Sequence, residues 1–193
     1  MNSQSTAHIP RGWRIEDLYD QTGKRFLITG GTSGLGRETA RELARCGAQV
    51  TITARSVKKA EETLNEIASE KVDYLEMDLT DLESVRNAAR SVTGNYDALI
   101  LNAGIMAIPF AKTVDGFETQ MSTNHLGHFA FAGLIKNQIS HRIITVSSFA
   151  HRMGSFGSGS LDEIRDIALG KNQYSPWGAY GTSKLANLLF SFE

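Results

Sequence analysis

The chain has only one cysteine, Cys46, so no internal disulfide can form, and the sequence suits a reducing compartment. Cys46 precedes Gly47 at a helix end with no His or second Cys near it, and reads as a packing residue. Neither charge is in excess. The 20 basic and 21 acidic residues nearly cancel, which leaves no electrostatic basis for a nucleic-acid partner or an acidic membrane surface. No apolar run approaches the roughly 20 residues that a spanning helix needs. Met1 to Pro10 is polar and lacks the apolar core of a signal peptide, so a cytoplasmic location is expected. His125 and His128 share a helix without a carboxylate at suggestive spacing, which argues against a metal site. No Gly-x-Ser-x-Gly elbow follows a strand, which argues against Ser-His-Asp hydrolysis. Internal repeats are absent too.

What is present alternates regularly. One domain over 23–193 is expected, preceded by a polar extension, 1–22, with Pro10, Gly12 and Trp13, that lies over it. Phe26 to Ile28 reads as a short buried strand, and Glu38 to Arg45 as a helix with Leu35, Thr39, Ala40, Leu43 and Ala44 inward. Val50 to Thr53 is a second strand, and Ala60, Leu64, Ile67 and Ala68 recur at helical spacing. Val72 to Met77 is a third. Thr80-Asp81-Leu82-Glu83 has the form of a capping box opening a helix that buries Val85, Ala88, Ala89 and Val92. Ala98 to Leu101 is apolar on both faces, as a central parallel strand should be. Phe117 to about Asn137 reads as helix and Ile143 to Val146 as a fifth strand. Gly154 to Ser160, rich in Gly and Ser, reads as a mobile piece of a long loop before Tyr180. Strands alternating with helices predict an α/β fold, a doubly wound parallel sheet of Rossmann type.

Thr29-Gly30-Gly31-Thr32-Ser33-Gly34-Leu35-Gly36 falls between the first strand and its helix. Gly30, Gly34 and Gly36 there permit close approach to a pyrophosphate, and the helix offers unpaired N–H groups and its positive dipole end. An NAD site usually ends its second strand with an acid for the ribose hydroxyls. This chain has Ala54 and then Arg55, whose guanidinium can pair with a 2′-phosphate. NADP is therefore the expected cofactor and NAD the alternative; Arg37 and Lys58 are either helpers or solvated charges. Tyr180 and Lys184, four apart, share one helical face. Tyr is a poor base at neutral pH, with an ordinary pKa of about 10, and a neighbouring ammonium favours the phenolate. Tyr180 is thus the candidate general acid/base.

The ordered set of the glycine-rich turn, Asn102-Ala103-Gly104, Asn124, Ser147-Ser148 and Tyr180-Gly181-Thr182-Ser183-Lys184 resembles the short-chain dehydrogenase/reductase family from about Lys24 onward. The surroundings of Tyr180, from Tyr174 to Asn187, are similar to its retinol-dehydrogenase-like branch. The resemblance implies that Thr32, Ser33 and Leu35 line the phosphate turn, that Asp78 and Leu79 flank the adenine, and that Asn102-Ala103-Gly104 flanks the adenosine ribose. Asp78 has an alternative role, capping the turn that follows it. The resemblance further implies that Lys184 holds the nicotinamide ribose, that Ser148, with Ser147 as rival, bonds the substrate oxygen, and that Asn124 holds a water near Lys184. Asn124 can alternatively be a helix-interior residue bonding backbone. The implied reaction moves a hydride between the cofactor and an alcohol or ketone, in a homo-oligomer.

Three departures stand beside this. The helix bearing Asn124 is about a turn short, the loop from Ser148 to Tyr180 is long, and the chain stops at Glu193, within the helix of Tyr180. An incomplete C-terminal part, an exposed Ile143–Val146 edge and self-association through Leu185, Leu188, Leu189 and Phe190 are expected. Two other functions stand beside it: a nucleotide-binding protein without turnover, and an epimerase or dehydratase on the same fold, against which the Thr29-to-Gly36 spacing and Asn102-Ala103-Gly104 argue.

Overall fold

The computed structural model describes Gly12 and residues 14–192. Five parallel strands form one sheet in the order β3-β2-β1-β4-β5. They are β1 (Arg25–Ile28), β2 (Gln49–Ala54), β3 (Val72–Glu76), β4 (Tyr96–Leu101) and β5 (Ile139–Thr145). Parallel neighbours need crossovers, supplied first by α1 (Gly34–Arg45), α2 (Val57–Ile67) and α3 (Leu82–Ser91). Alternation along β1 sends Leu27 into a cluster with Val85, Leu99 and Phe131 on one face of the sheet. Ile28 joins Leu43, Val50 and Ile52 on the other. Two packed faces make the doubly wound sheet expected from the sequence.

Several local readings are corrected. Helix α1 begins at Gly34, and Leu35 is 77% exposed instead of inward, projecting at the mouth of a cleft. Ala68 is not helical: it ends α2 in the left-handed conformation, at φ 53°. Asp81, not Thr80, caps α3, accepting from the amides of Glu83 and Ser84, while the Thr80 hydroxyl turns back to Asp78. The stretch from Phe117 is divided into α4 (Thr119–Met121), a π-turn (Ser122–Leu126), α5 (Gly127–Ile135) and a 3-10 turn. Its start is set by Glu118, whose two carboxylate oxygens accept from the Gln120 and Met121 amides at 2.9 and 2.8 Å. Strand β5 begins at Ile139 instead of Ile143 and lies at the sheet edge, with Ile143 and Ile144 exposed.

The loop before Tyr180 holds ordered structure. A 3-10 turn (Phe149–Met153) and helix α6 (Leu161–Ala168) lie within it. Ser160 caps α6 by accepting from the Glu163 amide, a Ser-x-x-Glu pattern masked by the glycines around it. Gly154 packs against Gly181 so closely that a Cβ there would meet the Gly181 carbonyl oxygen at 2.5 Å. Ser175 then caps α7 (Pro176–Phe190), with Pro176 in its first turn. At the other end of the chain, Leu18 packs beside the α1 core, and the Gln21 amide donates to the Cys46 carbonyl at 2.7 Å. Pro10 and Trp13 lie outside the described residues.

Helix α5 carries a buried histidine that ties it to the sheet. His128 is 1% exposed, with one ring nitrogen against the Thr29 hydroxyl and the other against the Asn124 carbonyl. Burial holds the imidazole neutral, lowering its pKa from 6.5 to about 4. The unfolded chain gains that proton near its ordinary value, so the stabilisation is complete above 6.5 and lost as pH falls from 6.5 toward about 4. The difference in unfolding free energy between the wild type and His128→Gln, read by urea titration, is expected to fall by about 3 kcal/mol from neutral pH to about pH 4. A pH-independent difference contradicts this.

Candidate active site

The strand order reverses between β1 and β4, since α1 and α2 lead away to β2 and β3 while β4 returns to the far side of β1. Ligands of open α/β sheets bind beyond the carboxyl ends of strands at such a point. A cleft of about 360 Å³ opens there. Gly30, Ser33, Arg55, Asp78, Asn102 and Gly104 contribute to its wall.

The turn after β1 is shaped for close approach. Gly30 has φ 68°, and a Cβ on it would lie 2.8 Å from Ala103. A Cβ on Gly36 would meet the Gly30 carbonyl oxygen at 2.4 Å, so this glycine packs beneath the turn and does not line the cleft. Ser33 sits at the N-cap of α1 without a side-chain bond to the first turn, unlike Ser56 on α2 or Asp81 on α3. The free amides and the positive helix end therefore face the cleft, a setting that fits an anionic pyrophosphate. Thr123 adds a second sign of a ligand. Its buried Oγ1 has no partner among the described residues and borders the same cleft.

The remaining residues expected at the phosphates, adenine and adenosine ribose line this cleft. Thr32, Gly34 and Leu35 form the turn side; Leu79, Ala103 and Gly104 form the opposite wall. Arg55 is exposed at the end of β2 and makes no ion pair among the described residues, whereas Arg37 is paired with Glu66 and Glu38. One oxygen of Asp78 accepts from the Thr80 amide at 2.8 Å and its hydroxyl at 2.7 Å, so Asp78 does organise its turn while also facing the cleft.

Asn124, Ser148, Tyr180 and Lys184 lie outside the cleft lining, and two of them, Asn124 and Lys184, adjoin its Gly104 end. A Cβ on Gly104 would be 3.2 Å from Asn124 Oδ1 and 3.4 Å from Lys184 Nζ. The Lys184 ammonium is buried, donates to the Val146 carbonyl at 3.0 Å, and has its pKa lowered by burial. It stands 5.9 Å from the centre of the Tyr180 ring, which packs edge-on against Trp177. The two serines differ. Ser147 Oγ donates to the Lys184 carbonyl at 2.8 Å, whereas Ser148 Oγ accepts from the Ala150 amide and has no acceptor for its own proton among the described residues. Both polar atoms of the Asn124 side chain are engaged: Oδ1 accepts from the Ile105 amide, and Nδ2 donates to the Ile105 carbonyl and to Ser183 Oγ. The second lone pair of Oδ1 is left over, while the backbone carbonyl accepts from the His128 ring.

Sequence reasoning gave no individual role to Thr29, Thr123 or Ser183, and weighed His128 only for a metal site. Asn124 and His128 are four apart, which puts them on one helical face, and that spacing was the available signal.

The family model described as short chain dehydrogenase matches residues 24–160. A Streptomyces lividans protein named "Probable oxidoreductase" is 44% identical over 180 residues, covering 89% of this chain and 59% of that protein. Retinol dehydrogenase 12 of Mus musculus is 41% identical over 182 residues, covering 89% of this chain and 55% of that enzyme. Among solved structures, an uncharacterised protein from Mycobacterium paratuberculosis is 48% identical with a TM-score of 0.86, over 94% of this chain and 65% of that one. The NADP active-site complex of Pseudomonas aeruginosa RhlG is 25% identical with a TM-score of 0.65, over 89% of this chain and 66% of that one. The chain thus spans just over half the length of the curated relatives it matches. It belongs to the short-chain dehydrogenase family, and its resemblance is to the retinol-dehydrogenase-like branch.

Proposed function

We propose that this chain carries the cofactor cleft and the proton-transfer site of an NADP-preferring oxidoreductase that interconverts an alcohol and a ketone. The observation that carries the reading is the junction at Gly104, where one end of the cleft meets Asn124 and Lys184. A nicotinamide held there supplies hydride transfer to or from the substrate carbon. Proton transfer at the substrate oxygen then falls to Tyr180, whose hydroxyl has no partner among the described residues. The Lys184 ammonium stabilises charge as it develops on the Tyr180 oxygen, and its remaining N–H donors suit a ribose hydroxyl. Ser148, with a proton to give, bonds the substrate oxygen. Asn124 keeps the Ile105 loop and α7 in register, and the remaining lone pair of its Oδ1 is the group left to hold a water near Lys184.

Arg55 supports NADP, with the NADP complex of the RhlG relative as a second support; NAD is the alternative. Met106, Phe149 and Trp177 are exposed apolar side chains following β4, β5 and the start of α7, which suits a lipophilic substrate. Exposed Phe129, Leu134 and Leu189 on α5 and α7 suit a homo-oligomer. Among the described residues no helix is long and apolar enough to cross a membrane, and a cytoplasmic location is part of the proposal. A second reading, nucleotide binding without turnover, rests on the cleft alone.

Tyr180→Phe keeps the ring packed against Trp177 and removes the reacting oxygen. It should leave NADP affinity near that of the wild type and abolish ketone reduction, while Lys184→Ala loses both; a Tyr180→Phe variant with undiminished turnover contradicts the mechanism. Arg55→Ala should weaken NADP binding by about 1.5–3 kcal/mol, the range of a charge-assisted bond, and leave NAD binding almost unchanged in a calorimetric titration. Equal loss for both cofactors shows Arg55 to be structural. Cofactor titration followed by assay on a panel of ketones separates the oxidoreductase from the non-catalytic reading.

A further inference from the structure

A run of buried hydrogen bonds joins the tip of β1 to the helix of Tyr180, and the direction of each bond follows from the atoms involved. Thr29 Oγ1 accepts from the Asn102 amide at 3.0 Å and the Ala103 amide at 3.1 Å, which uses both of its lone pairs. Its own proton must then be donated. His128 Nε2 is 2.7 Å away, against 3.5 Å for the Ile100 carbonyl oxygen. Nε2 is therefore the bare nitrogen of the ring, and Nδ1–H donates to the Asn124 carbonyl at 3.0 Å. Asn124 Nδ2 donates onward to Ser183 Oγ at 2.9 Å, and Ser183 Oγ donates to the Tyr180 carbonyl at 2.7 Å.

Every side chain in this column is shut away from water. Thr29, Asn124 and Ser183 are 0% exposed and His128 1%. The Asn124 amide orientation is set by Ile105, whose N–H needs an acceptor and whose C=O needs a donor. A π-turn, the kind of irregularity common at functional sites, carries Asn124. The upper donors, Asn102 and Ala103, are themselves wall residues of the nucleotide cleft. Displacing them moves the acceptor they share.

We propose that His128 is a positioning residue that couples occupancy of the nucleotide cleft to the placement of α7, the helix bearing Tyr180 and Lys184. The inference rests on the nucleotide reading of the cleft. Only a neutral imidazole spans the gap: it accepts from Thr29 at one end and donates to Asn124 at the other. An Asn side chain reproduces the near donor at Nδ1 and cannot reach Thr29. A Gln side chain reproduces the far acceptor at Nε2 and leaves the Asn124 carbonyl without that donor. An apolar residue breaks both arms and leaves buried polar atoms unpaired.

The test is amide hydrogen exchange of the wild type, His128→Asn and His128→Gln, each with and without saturating NADP+. In the wild type NADP+ should slow exchange across Gly181 to Leu188 by about tenfold. Both variants should bind NADP+ with a Kd within about threefold of the wild type and lose most of that slowing. A merely structural histidine gives a different pattern, in which the variants exchange faster with and without NADP+ alike and keep the wild-type ratio; that result overturns the proposal. Wild-type protein that binds NADP+ with no response in α7 also overturns it. Wild-type protein that fails to bind NADP+ removes the nucleotide reading, and the coupling with it, before any variant is compared. If neither variant folds, nitrogen NMR of the wild-type ring decides: a proton on Nδ1 supports the column, and a proton on Nε2 overturns it.

Discussion

The ends of β1 and β4 are joined at Thr29, whose hydroxyl, amide and carbonyl all bond the end of β4. Where β4 leaves the sheet, the Ala103 amide turns to Thr29 Oγ1, and the Asn102 amide is shared between that oxygen and the Ile100 carbonyl. Left buried and unpaired, such groups cost about 1–3 kcal/mol each. With them satisfied, the chain can run past Gly30 at a distance that admits no Cβ, and Gly104 can then pass beside Lys184 and Asn124. The cleft is a neighbour of Lys184 and Asn124 because of this junction. It is a consequence of the strand order, in which the switch point falls between β1 and β4.

The architecture was legible in the sequence wherever a period or a fixed spacing recorded it. Ala98 to Leu101 is apolar at successive positions because β4 is covered on both faces. The turn from Thr29 to Gly36 announced itself because a strand, glycines and a helix follow in order. Tyr180 and Lys184 were legible as an i, i+4 pair on one helix. Local errors arose where two residues competed for one role. Thr80 and Asp81 can both cap a helix, and Asp81 took the position because Thr80 is committed to Asp78. Helix α6 was hidden by the glycines before it, although Ser160 and Glu163 have the spacing of a cap.

The column through His128 left no such trace. Thr29 and His128 are 99 residues apart, as are no two positions that a periodic pattern relates. Sequence reasoning weighed His128 only for metal binding, because its partners are a hydroxyl and a backbone carbonyl, groups that every sequence contains. Charge is a similar case. In the sequence Arg37 could be a helper or a solvated charge; Glu38 and Glu66 occupy it, while Arg55 stands unpaired among the described residues at the cleft. Placement, not residue type, separates a helper from a solvated charge.

The most direct measurement is a crystal structure of the protein with NADP+ bound. The account predicts the pyrophosphate against the first turn of α1, the 2′-phosphate against Arg55, and the nicotinamide end beside Tyr180 and Lys184. A nucleotide bound away from this cleft, or lying in it with its adenosine end toward Lys184, would contradict the account.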